Sequence, residues 1–429
     1  MVGNRNQVID VARAASIIVV VVYHGLLYRI HLTDGRVRIE PWAAPAMLYP
    51  LTWLLMVMPL FFVAGGYVHA RLVDRLAAQD GSYPSFLTAR ARRLLGPLGL
   101  FVTVSAVVST LAALFGSTPA VAALSQRFMT LLWFLAVYLM IIAAAPAMVR
   151  AHDRAGGATF LGLLIASLSI DGYVIQTGRI GLLEVNYLLV WLLVHQLGIA
   201  YHRGWFRRGA AWIPWAAVIA GTAAILFLIF RLDYPPSAVG FADLPLANAQ
   251  PPTTAMAALA LAQCGILGLA ERSGRFGTPS ARTAARLAGI NAFMVTTYLW
   301  HLLGIVLAAG ALVMVAWLLP SAAPVVLHQI TVASFGLAVT ALMVPWIARL
   351  EVRLIPAAGL RPSPTGPSTT GLVASYAVLV AGVIAVWHTG AVVLPSSPDS
   401  LAAVLLLGLG SLGLRRSLGR RPRPRSVAQ

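Results

Sequence analysis

The chain has 429 residues, 59% of them hydrophobic and only 10% charged, with a mean hydropathy of +0.83. Apolar runs of about twenty residues recur along its whole length, which excludes a soluble globular protein and predicts an all-α polytopic membrane protein. The formal charge of +18 comes entirely from arginine, but the arginines gather at the ends of apolar runs, where positive-inside sorting puts them, so no nucleic-acid partner is expected.

In chain order, apolar runs predict spans near 8–30, 46–68, 94–116, 128–149, 158–175, 180–200, 210–230, 253–271, 287–318, 326–349, 371–392 and 397–414. The leading MVGNRNQ resembles the start of a signal sequence, yet no small-residue cleavage site follows the first run, so an uncleaved signal anchor is expected. With the N-terminus inside, 24 arginines fall in cytoplasmic segments and 6 outside, leaving Arg13 within the first span. That asymmetry predicts a multi-pass protein of the cell membrane with both termini cytoplasmic. Residues 351–370, rich in Pro, Ser, Thr and Gly, read as a linker, 371–414 as two additional helices, and 415–429 as a basic, disordered tail held near lipid headgroups. Cys264 is the lone cysteine, so neither an intramolecular disulfide nor a thiolate metal cluster is available.

Three constellations have the residue types that chemistry needs. Arg13 and His24 lie eleven residues apart in the first span, about three helical turns, so they share one face with an axial separation of roughly 16 Å. Ionisable groups at membrane depth tend to line a pathway or a site. An Asp10–Arg13 bridge and a structural His24 hydrogen bond account for the same residues without function. Arg90 and Arg93 share a face at the start of the third span, where guanidinium groups suit the phosphates of a ligand such as coenzyme A, and where, taken alone, topological anchoring is the simpler account of them. At the depth of His24 lie Trp133 and Glu184. A histidine takes a proton from an attacking hydroxyl, a carboxylate orients the imidazole, and an indole walls a pocket. Alone, Trp133 also fits an interfacial belt and Glu184 a loop-end charge. Tyr298 and His301 stand one turn apart in the ninth span, placed either for one ligand or for an interhelical contact. No HxxxH or HxxEH pairing occurs among the nine histidines, so no metal is expected.

In this order the residues resemble acyltransferase family three, the transmembrane acyltransferase superfamily. Asp10, Arg13 and His24 match its first-helix pattern; Phe61, Phe62, Gly66 and Tyr67 resemble its second-helix signature; Arg90 and Arg93 ahead of Pro97 match its paired arginines; Trp133 matches its tryptophan, and Tyr298 and His301 its late tyrosine and histidine. The chain departs in carrying Gly65 where the family usually has serine, and in following the core with two further helices and a basic tail where many relatives carry a soluble esterase-like domain.

The resemblance implies a core of about ten helices over residues 1–350 with two extra C-terminal helices. It implies an enzyme that transfers an acyl group other than aminoacyl, commonly acetyl, from cytosolic acyl-CoA to a hydroxyl of a carbohydrate, glycolipid or related metabolite of the cell envelope. On that reading His24 and Glu184 are catalytic, Arg13, Arg90 and Arg93 bind the donor, and Asp10, Trp133, Tyr298 and His301 line the pocket. Acyl-CoA is a co-substrate and no bound cofactor is implied. Membrane lipids are the other partners, and assembly as a homo-oligomer is left open. The competing reading is a multi-pass transporter or flippase of a small molecule or lipid-linked sugar; against it stand the missing internal repeat and the short connection from Tyr201 to Gly209. A non-catalytic subunit that presents lipid-linked sugars to another enzyme is a third reading.

Overall fold

The computed structural model describes residues 6–33, 35–241, 247–276, 280–354, 360–362 and 369–420. The chain opens with α1 (Gln7–Leu26), capped by the Asn6 side chain, which accepts the Ile9 N–H at 3.1 Å, with Asp10 complementing the helix dipole in the first turn. The predicted span ran to residue 30, but the helix stops at Leu26. From Tyr28 onward the residues alternate with period two and pair as β1 (Tyr28–Thr33) with β2 (Arg36–Pro41), a hairpin that the apolar count alone merges into the helix. Then come α2 (Tyr49–Leu55) and α3 (Met58–Ala77), separated by an extended Met56, so the predicted 46–68 span is interrupted.

Next are α4 (Tyr83–Phe115), α5 (Thr118–Met129) and α6 (Leu132–Thr177). At 46 residues α6 would be about 69 Å long, more than twice a hydrocarbon core. It breaks at Ala155 (φ −154°, ψ 57°), and its halves take in the predicted 128–149 span from Leu132 onward and the predicted 158–175 span. There follow α7 (Asn186–Arg203), α8 (Trp212–Arg231), α9 (Ala255–Arg272), α10 (Ala281–Ala292), α11 (Met294–Leu318), α12 (Ala323–Val326) and α13 (Gln329–Leu354). The predicted 287–318 span is thus two helices, because the chain turns at Phe293 between the exposed, arginine-bearing α10 and the apolar α11. After the short β3 (Leu360–Pro362) come α14 (Thr369–Thr389), α15 (Pro398–Ser417) and β4 (Leu418–Arg420), which pairs with β3. Among the described residues eleven helices are long and apolar enough to cross a membrane, and the fold is all-α and polytopic.

The chain forms two compact units, one of residues 1–71 with 144–344 and the other of 72–143 with 345–429. This division differs from a core over 1–350 followed by an appendage. In the second unit α14 and α15 pack on each other, the Tyr376 hydroxyl donates to the Leu139 carbonyl at 2.8 Å, and Gln126 Nε2 donates to the His388 carbonyl at 2.6 Å. Ser125 Oγ accepts the Ala391 N–H at 3.0 Å, and Thr110 Oγ1 accepts the Val393 N–H at 2.9 Å. The last two helices are therefore built into a bundle with α4 and α5. The predicted linker lies partly outside the described residues, at 355–359 and 363–368, as does the tail beyond 420.

In the first unit, α3 and α7 meet at glycine. A Cβ on Gly66 would press on the His195 carbonyl oxygen and lie 3.0 Å from the Gly198 Cα, and one on Gly198 would press on the Val63 carbonyl. Small residues let the two backbones touch, the usual packing device where lipid removes the hydrophobic drive between helices. Across this crossing the buried His69 Nδ1 and His195 Nε2 share a hydrogen bond of 3.1 Å, and Phe62 stacks on Trp191 with ring centroids 4.3 Å apart. We expect Gly66→Val to cost about 1–3 kcal/mol or more by overpacking. A thermal midpoint in detergent equal to that of the native chain would show that the crossing relaxes freely.

Candidate active site

Two polar networks fix the ends of the first unit. At the Arg13 end, Glu271 of α9 accepts from the Tyr201 hydroxyl (2.7 Å), from Asn6 Nδ2 (2.9 Å) and from Arg207 Nη1 (3.1 Å). One carboxylate therefore joins α9, α7, the turn after α7 and the cap of α1. At the His24 end, the buried Asp171 of α6 accepts only donors: Asn186 Nδ2 at 2.7 Å, the Tyr234 hydroxyl at 2.8 Å and the Thr254 N–H at 2.7 Å. Burial, with the neighbouring Asp171 charge, pushes the Tyr234 phenol far above its usual range, so it stays a donor. These bonds hold both ends of the loop between α8 and α9, which Asn248 ties further by donating to the Pro235 and Ser237 carbonyls.

Between these networks α1 packs on α10 and α11. A Cβ on Gly25 would lie 2.6 Å from the Ala333 Cα, so α13 also approaches α1 at its His24 end, where Gln329 Nε2 donates to the Leu26 carbonyl at 2.7 Å. This packing brings His24 and His301 together: their ring centroids are 4.7 Å apart with planes at 73°. His24 is half-buried and His301 is fully buried.

The hydrogen bonds fix the tautomers. His24 Nδ1–H donates to the Val20 carbonyl at 2.8 Å and His301 Nδ1–H to the Tyr298 carbonyl at 2.6 Å. A carbonyl oxygen only accepts, so each neutral ring keeps its lone pair on Nε2. His301 Nε2 and the adjacent Tyr23 hydroxyl are buried with no hydrogen-bond partner among the described residues. Tyr23 meets His24 edge-on at 6.1 Å and Tyr298 lies 5.8 Å from His301. Two cations at the His24–His301 spacing would repel by about 3.5 kcal/mol at an effective dielectric of about 20, so the two rings do not carry charge together. Unpaired buried polar atoms are uncommon, and one of them here is a basic ring nitrogen, His301 Nε2.

At the other end of the same helix, Arg13 is half-buried, with Nη2 3.9 Å from Met294 Sδ at the start of α11, while the Asp10 carbonyl accepts from Asn291 Nδ2 of α10 at 3.0 Å. Glu184 lies exposed on a 3-10 turn (Ile180–Val185) leading into α7. The group that orients the His24 ring is the Val20 carbonyl, a helix-internal acceptor, not a carboxylate. Arg90, half-buried, and Arg93, exposed, lie on α4, and the buried Trp133 opens α6; these three belong to the second unit. No group of three or more metal-ligating side chains occurs among the described residues. Sequence reasoning missed Tyr23, though its place beside His24 marked it, and Asp171, whose partners are spread along the chain.

No curated protein and no solved structure matches the chain. Residues 6–348 match the acyltransferase domain of family three, an interval that takes in every helix of this site, and the chain accordingly belongs to that family of membrane acyltransferases.

Proposed function

We propose that the chain is an O-acyltransferase that moves an acyl group, acetyl in the simplest case, from acyl-CoA to a hydroxyl of a carbohydrate or glycolipid at the membrane. The observation that carries this reading is the His24–His301 pair, with Nδ1 of each ring tied to its own helix and the His24 Nε2 lone pair left for a hydroxyl proton. In the step itself the acceptor oxygen bonds to the acyl carbon and the C–S bond breaks. The hydroxyl proton passes to His24 Nε2 and from there to the departing sulfur, with His301 Nε2 as the second basic atom beside it. Attack by Nε2 itself, forming an acyl-imidazole before the acceptor arrives, starts from the same atom.

Arg13 lies roughly 16 Å along α1 from His24, a span on the order of an extended phosphopantetheine arm, so a phosphate held there would let the thioester reach the histidines. Asp10 and Tyr298 line the pocket. Glu184 contributes charge near the acceptor and no ring orientation, so Glu184→Gln is expected to change transfer by less than about tenfold, and a deeper loss would make it a direct participant. Arg13→Ala is expected to raise KM for acyl-CoA by about tenfold or more with a smaller change in kcat, because it removes a charge-assisted contact to a non-reacting part of the donor.

The direct test supplies acyl-CoA labelled in the acyl group to membranes with and without the chain and follows label into lipid and polysaccharide. Chain-dependent ester label supports the reading. If acetyl, propionyl and longer acyl donors all fail while the chain carries an intact sugar or lipid across vesicles, the molecule is a carrier and the transferase reading falls.

A further inference from the structure

The hairpin that follows α1 has two unlike faces. In its register Tyr28 pairs with Pro41, Ile30 with Ile39 and Leu32 with Val37, and Ile30 and Leu32 of this face pack on Leu312 and Ala316 near the end of α11, Leu327 at the end of α12 and Val332 near the start of α13. On the opposite face Arg29 pairs with Glu40, His31 with Arg38 and Thr33 with Arg36, all exposed. The ladder runs one step past the strands: the Trp42 N–H donates to the Leu27 carbonyl at 2.8 Å, which puts Trp42 on the polar face at its base, three residues beyond His24 in the register. There Trp42 meets Phe241 edge-on at 6.2 Å, Tyr49 stacks on Phe241 at 5.8 Å, and the buried Trp42 Nε1 has no acceptor among the described residues.

From Trp42 to Arg36 this face is about 20 Å long, with an aromatic ring at the histidine end and three arginines against one glutamate beyond. The ion pairs Arg203–Asp153 and Arg207–Glu271 of this unit use none of these arginines. Nor does topology call for them: in the arrangement read from the sequence they lie on the outer side, where arginine has no anchoring role. We propose that this face is the acceptor track and that the acceptor is an anionic glycan, whose carboxylates or phosphodiesters meet Arg29, Arg36 and Arg38 while a sugar ring beside Trp42 offers its hydroxyl to His24. Naming the glycan as acceptor rests on the transferase reading; the binding of a polyanionic glycan does not.

The test uses a matched pair of probes, fluorescent decagalacturonic acid and its neutral methyl ester, titrated against the full chain in phosphatidylcholine nanodiscs. At low salt the acid should bind roughly tenfold tighter than the ester, and the preference should shrink as salt is raised. Arg36→Glu with Arg38→Glu, both at exposed positions, should abolish the preference, and Trp42→Ala should weaken both probes alike. Equal binding of acid and ester by the native chain, or a preference that survives the double charge reversal, would overturn the proposal. So would loss of the acid's binding when phosphatidylglycerol is added to the disc, because the face would then belong to lipid headgroups. This binding is read without turnover, so a failure of the chemistry stays separable from a failure of the track.

Discussion

His24→Ala should lower acyl transfer by about a hundred- to ten-thousand-fold at matched protein level, the range that a positioned general base contributes. His24→Gln should fall as far, since a glutamine amide hydrogen-bonds but does not take the proton. The informative partner is His301→Phe. Phenylalanine keeps a ring against His24, where the native centroids are 4.7 Å apart, but removes the unpaired Nε2. If that nitrogen shares the transferred proton, His301→Phe should lose about a hundredfold or more in kcat with little change in KM for acyl-CoA. Near-native kcat in His301→Phe would mean that the second ring only packs, and His24 would then work alone. Each variant needs a thermal midpoint beside its rate, because a lost fold also abolishes transfer.

Asp171→Ala should be among the most destabilising single changes in the first unit. It removes the acceptor of the Tyr234 hydroxyl and the Thr254 N–H and leaves Asn186 Nδ2 only its longer bond to the Ser167 carbonyl, and a buried donor left without an acceptor costs about 1–3 kcal/mol. The expected result is a clear drop in thermal midpoint, with new protease cleavage confined to the 232–254 loop. Asp171→Asn keeps the shape and one acceptor oxygen, and should fall between alanine and the native residue. An unchanged midpoint and cleavage pattern in Asp171→Ala would show that the loop is held by Asn248 and the Thr52–Ser237 contacts instead.

Where the sequence was informative, and where it was not, follows from the range over which each signal acts. Hydropathy is local, so the crossing helices were legible, and so were Arg13 and His24, whose shared face depends only on helical spacing. The β1–β2 hairpin was not, because Leu26, Leu27, Tyr28 and Ile30 keep a window apolar on average around Arg29, and a window cannot see that the period has changed to two. The meeting of His24 with His301 needs α1 and α11 to pack, and Asp171 finds partners at positions 186, 234 and 254. Each of those residues, taken alone, reads as an ordinary polar group. The family resemblance named His24, Tyr298 and His301 but was silent on which nitrogen of each ring is free; the backbone carbonyls of Val20 and Tyr298 decide that.

The second unit is assembled from two stretches separated by roughly 200 residues of the first. At ribosomal speeds of about 5–20 residues per second, α4 and α5 wait on the order of 10–40 s in the bilayer before α14 and α15 are made. During that interval the Leu139 carbonyl and the hydroxyls of Thr110 and Ser125 lack the C-terminal partners that later bond them. The early helices are thus exposed to the membrane's insertion and quality-control machinery until the end of the chain arrives. Stalling translation before residue 369 should therefore leave α4 and α5 the first part of the protein to be degraded, while the histidine-bearing unit, complete by residue 344, is already closed.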